Sequence, residues 1–85
     1  MDISEIQDLA IQARMALIVG AKTFDRLFAG IRFDEADGGL LYAYAKDEQS
    51  ASEIEDEYSL HISIIASQIL SQDIDVVVAM PKVLQ

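Results

Sequence analysis

The chain reads as an α+β domain, with two long helices, a small antiparallel β-element and a C-terminal strand, and three observations carry that reading. Two capping-box signatures, Ser4 with Gln7 and Ser52 with Glu55, each precede a stretch with apolar residues at three- and four-residue steps. The cluster Asp34-Glu35-Ala36-Asp37-Gly38-Gly39 reads as a turn between two short extended runs. Ile74 to Met80 is dense in β-branched residues and is stopped by Pro81. At 85 residues the chain is expected to form one compact domain, 1–85, with a small core. An all-α helical bundle is the alternative, because 40–45 and 74–80 also admit helical readings.

The first helix is predicted from residue 4 to about 29. Glu5 and Asp8 sit in its first turn, where carboxylates suit the helix dipole. Ile6, Leu9, Ala10, Ala13, Ala16, Leu17 and Gly20 mark one face, yet Ile11, Met15, Ile18 and Val19 populate much of the remainder. A helix apolar nearly all round needs more cover than a short chain supplies, so self-association through Ile11, Met15 and Ile18 is expected. Gly20 costs about 1 kcal/mol relative to Ala inside a helix, which predicts an end or a bend there. Phe24, Leu27, Phe28 and Ile31 continue the spacing, and Gly30 suits a left-handed terminus.

Residues 31–33 are predicted to be extended, and Leu40 to Ala45 to pair back on them. Tyr42 and Tyr44 would then share one face of the strand, with Leu41 and Ala43 on the other. The second helix is placed at 52–72, with 47–51 as a linker. Glu53, Glu55, Asp56 and Glu57 would crowd its start, while Ile54, Tyr58, His61/Ile62, Ile65 and Ile69 would form its apolar face and Leu60, Ile64 and Leu70 would widen it. Ser59, Ser63, Ser67 and Ser71 recur at every fourth position, so the first three are further candidates for close approach of a second copy. The last strand is predicted at 74–80, followed by a tail in which Val83 and Leu84 are candidate anchors.

The net charge of −9 is local. Residues 34–57 hold nine acids against Lys46 alone and so carry −8 of it. A field of this kind repels nucleic acid and anionic membranes and attracts basic surfaces. The only histidine, His61, has Glu57 one turn earlier, which is a structural pair before it is a general base. The sequence 34–39 resembles a calcium loop only superficially, since the alternate carboxylates are absent and Tyr44 falls at the twelfth position. There is no cysteine, so no disulfide framework, thiolate metal site or cysteine nucleophile exists. No phosphate-loop, dinucleotide, nucleophile-elbow or zinc-protease motif appears. The expectation is therefore a non-enzymatic chain without metal or cofactor. With no basic leader and no spanning apolar run, it is expected in the cytoplasm.

Small size, local acidity and the lack of a catalytic set suit a type of protein: inhibitors that occlude basic sites, such as nuclease immunity proteins, antitoxins and phage anti-defence proteins. On this reading the acidic 34–57 region docks on a basic, nucleic-acid-binding surface of another protein. Asp34, Glu35, Asp37, Asp47, Glu48, Glu53, Glu55, Asp56 and Glu57 would supply charge, and Tyr42, Tyr44 and Tyr58 the anchors. The alternative is a homodimeric helical structural or adaptor protein whose acids only solubilise it.

Overall fold

The computed structural model describes residues 1–82; Val83 and Leu84 lie outside the described residues. Helix α1 spans Glu5–Val19, a short α2 spans Ala21–Thr23, and a π-helical turn follows at Phe24–Phe28. Strands β1 (Arg32–Asp37) and β2 (Leu40–Ala45) form a hairpin, helix α3 runs Glu48–Leu70, and β3 spans Val76–Pro81. The fold is α+β, and the all-helical alternative is not favoured.

The first capping box forms as expected: Gln7 N–H donates to Ser4 Oγ at 3.1 Å and Ser4 N–H donates to Gln7 Oε1 at 3.0 Å. Helix α1 then stops at Gly20, whose φ of 87° and ψ of 163° suit glycine alone. The predicted continuation to about residue 29 is realised as α2 and the π-turn, which bury Leu27 and Phe28. The interior includes Ile11, Met15, Phe28, Phe33, Leu41, Ile54 and Ile62, all essentially inaccessible to water. Each such side chain contributes about 1.5–3 kcal/mol of burial free energy.

The hairpin turns through Gly38 and Gly39, with φ of 58° and 87°, the two positive values that a two-residue type I′ turn needs. A Cβ at Gly39 would also meet the side chain of Asp75, with Oδ2 at 3.0 Å. β1 and β2 are antiparallel, with an extra residue in β1 between Phe33 and Glu35. β3 returns through α3 to lie parallel to β2, giving the order β1-β2-β3.

Three boundaries differ from the sequence reading. β1 runs on through 34–37, which the sequence reads as part of the turn, because Glu35, Ala36 and Asp37 pair with the start of β2 and leave only Gly38 and Gly39 to make the reversal. Helix α3 starts at Glu48, not Ser52, because Asp47 caps it: Ser50 N–H donates to Asp47 Oδ1 at 2.7 Å, while Ser50 and Ala51 are buried. The expected Ser52–Glu55 box is thus helix interior, and of the acids only Glu48 occupies the first turn. The dipole effect fades beyond that turn and does not reach Glu53 to Glu57. The last strand begins two residues later than predicted, and Pro81 ends it at an edge, where its missing N–H removes no ladder bond.

Residues 1–3 form an addition that the sequence did not announce. Ile3 N–H donates to Asp34 O and Ala36 N–H to Met1 O, both at 2.9 Å, so this short arm covers the outer edge of β1.

Candidate protein-binding surface

Helices α1 and α3 pack on the sheet, and the strands bury one face. Phe33 and Ala36 from β1, Leu41, Ala43 and Ala45 from β2, and Val77 from β3 point into that interface and are buried. Alternation then puts Leu40, Tyr42 and Tyr44 of β2 beside Val76, Val78 and Met80 of β3 on the opposite face. No second layer covers them among the described residues, and all six retain contact with solvent.

The register orders this open face into rows. Arg32, Tyr44 and Met80 are lateral neighbours at one end, Glu35, Tyr42 and Val78 form the middle row, and Asp37, Leu40 and Val76 the other end. The face grades from charged along β1, through aromatic, to aliphatic along β3. Arg32 Nη2 meets Asp34 Oδ1 at 2.9 Å on an exposed part of the margin, and among the described residues Glu35 and Asp37 are the acids of β1 without an ion-pair partner. Lys82 joins Arg32, Asp34 and Tyr44 around a shallow concavity at the first end.

Both sheet edges are blocked. The N-terminal arm occupies β1. On β3, Val76 and Lys82 donate toward the β2 side, to Gly39 O and Ala45 O, so the backbone nitrogens of residues 77, 79 and 81 face the outer edge. Ala79 N–H donates to Glu55 Oε2 at 2.8 Å, and Pro81 has no N–H to offer. An incoming strand finds little to pair with along either edge.

The predicted partner-binding residues do not form one patch. Asp34, Glu35, Asp37, Tyr42 and Tyr44 converge on the open face or its margin. Asp47 and Glu48 follow the far end of β2, a strand's length of about 17–20 Å from the hairpin turn beside Asp37. Glu53, Glu55, Asp56 and Glu57 belong to α3, across the sheet. Four of the nine acids also have work inside the chain: Asp34 pairs with Arg32, Asp47 caps α3, Glu53 takes both Arg26 Nη1 and Nη2 at 3.2 and 3.1 Å, and Glu55 holds Ala79. The hydrogen bond and charge of Glu53 raise the Arg26 pKa. Tyr58 is drawn inward, its ring edge-on to Phe28 with centroids 5.6 Å apart, and is not an exposed anchor. Glu57 and His61 are exposed, and among the described residues no hydrogen bond joins them.

The self-association set is also redistributed. Ile11 and Met15 are core residues of the chain itself, since the inward side of α1 carries them, and only Ile18 of the helix trio is exposed. The serine flank is used internally. Ser63 is buried and donates to Leu60 O at 3.1 Å, Ser67 Oγ donates to Ser63 O at 2.7 Å and accepts Ile74 N–H at 2.9 Å, and Ser59 faces β3. The small side chains admit β3 of the same chain where a second helix was expected.

Among the described residues no three carboxylate or imidazole groups converge as a metal-binding cluster, and no helix is long and apolar enough to cross a membrane. The geometry defines a two-layer α+β domain with one face of its sheet uncovered. The chain matches no protein-family model, and no curated protein matches it significantly.

Proposed function

We propose that this chain is a non-catalytic protein-binding module, an inhibitor or adaptor, that engages a partner protein through the open face of its sheet. The observation that carries the reading is the juxtaposition of Tyr42 and Tyr44, set among Leu40, Val78 and Met80, with Glu35 and Asp37 along one margin. Aromatic anchors supply area at low entropic cost, and the carboxylates favour a partner that is basic around an apolar patch. A nucleic-acid-binding surface has that character, so occluding one is the inhibitory form of this activity. The acids of α3 add to the long-range field and speed encounter without touching the partner. A chain without cysteine suits a reducing compartment, and we place its action in the cytoplasm.

The test separates face from field. Glu35→Lys with Asp37→Lys, and in a second protein Asp56→Lys with Glu57→Lys, reverse equal charge on the sheet margin and on α3. With both folded by circular dichroism, the margin variant should lose a partner captured from host lysate at low salt and released at high salt, whereas the α3 variant should only slow its capture. Equal retention of the partner by the margin variant and the wild type would refute the proposal.

A further inference from the structure

We infer that the chain also forms a homodimer through the outward face of α1, paired antiparallel with the same helix of a second copy. Ile11 and Met15 fix the inward side of α1. The opposite side carries Ile6 at 81%, Leu9 at 53% and Leu17 at 84% exposure, with Ala10 and Ala13 between them. At 100° per residue these five fall within an arc of about 100° that contains no polar side chain. Gln12 and Asp8 are held on the β1 side, where Gln12 Nε2 donates to Ile31 O and Phe33 N–H donates to Asp8 Oδ1, both at 2.8 Å. Arg14 is held on the α3 side, where Nη2 donates to Gln68 Oε1 at 3.2 Å. Polar groups thus border the stripe and leave it unbroken.

Single exposed leucines are ordinary, but here three large apolar side chains and two alanines form one contiguous stripe over three turns. Its shape suits its own copy. A two-fold axis between Ala10 and Ala13 sets each Ala10 against the other copy's Ala13, where the backbones approach closely, and each Ile6 against the other Leu17, where the diverging helices leave room. Charge selects the direction. Asp2, Glu5 and Asp8 crowd the N-terminal end of α1, while the first charge beyond its C-terminal end is Lys22. A parallel pair stacks acid on acid and aligns the two helix dipoles, whereas an antiparallel pair brings Glu5 toward Lys22 of the second copy. The stripe is turned away from the core, so this dimer leaves both open sheet faces free and makes the module bivalent.

Analytical ultracentrifugation across a dilution series tests this on the intact chain. The wild type should pass from dimer to monomer on dilution. Leu17→Glu and, separately, Ile6→Glu should raise the dissociation constant by roughly a hundredfold, with the helical signal unchanged because both positions are already in water. Leu60→Glu, at a 68% exposed site on α3, should leave it unchanged. Glu5→Lys and Lys22→Glu should each weaken the dimer several-fold and the double variant restore it. A wild type that is monomeric at every concentration, or a dimer indifferent to Leu17→Glu, overturns the inference; a double variant weaker than either single overturns the antiparallel arrangement.

Discussion

Glu55 on α3 and Ala79 on β3 are joined by a 2.8 Å hydrogen bond in which a helix carboxylate takes the outward amide of an edge strand. One side chain therefore fastens α3 to β3 and removes a donor from the exposed edge. Glu55→Gln keeps an acceptor and should behave as the wild type, whereas Glu55→Ala should cost about 1–3 kcal/mol. It should also speed hydrogen exchange at the Ala79 amide and increase aggregation on heating. Unchanged exchange at Ala79 would show that the bond does not protect the edge.

The N-cap of α3 makes stability depend on acid. Accepting the Ser50 N–H holds the Asp47 carboxyl below the ordinary aspartate value, about 4. A lowered folded pKa means that the ionised cap contributes fully above the unfolded value and is lost as pH falls through the lower folded one. Asn caps without titrating. The Tm difference between the wild type and Asp47→Asn should therefore shrink as pH drops below about 4, a comparison in which the other carboxylates cancel.

The inward phase of α1 rests on Met15, which is fully buried. Met15→Ala should destabilise by about 2–5 kcal/mol in urea titrations, as cavity-forming substitutions do. A loss under 0.5 kcal/mol would place Met15 at the surface and invert the helix.

Ser71 ends α3 with φ 55° and ψ 40°, a left-handed conformation that a side chain disfavours. Ser71→Gly should raise stability by about 0.5–1 kcal/mol, measured as an increase in the urea midpoint at constant slope.

Much of the fold is legible in the residues. The Ser4 cap, the break at Gly20, the Gly38-Gly39 reversal and the division of Tyr42 and Tyr44 from Leu41 and Ala43 all follow from local chemistry. The phase of α1 is not legible, because both its faces are apolar and only packing against α3 and β1 selects Ile11 and Met15. The start of α3 is ambiguous because Asp47 and Ser52 are both good caps, and burial of Ser50 and Ala51 decides between them. The acidic block looked like one patch because a linear count does not see the hairpin that separates Asp37 from Asp47. The serine spacing did announce close approach, but not that the visitor is β3 of the same chain.

On the proposed reading a partner sits on the open sheet face, over Tyr44 and away from Asp56 on α3. The most direct measurement places a photo-activated cross-linking amino acid at Tyr44 in one protein and at Asp56 in another, expressed in host cells and irradiated. A covalent adduct with a second, basic protein is expected from position 44 and none from position 56. An adduct from position 56 with none from 44 would contradict that reading, and would return the working surface to the acidic flank of α3.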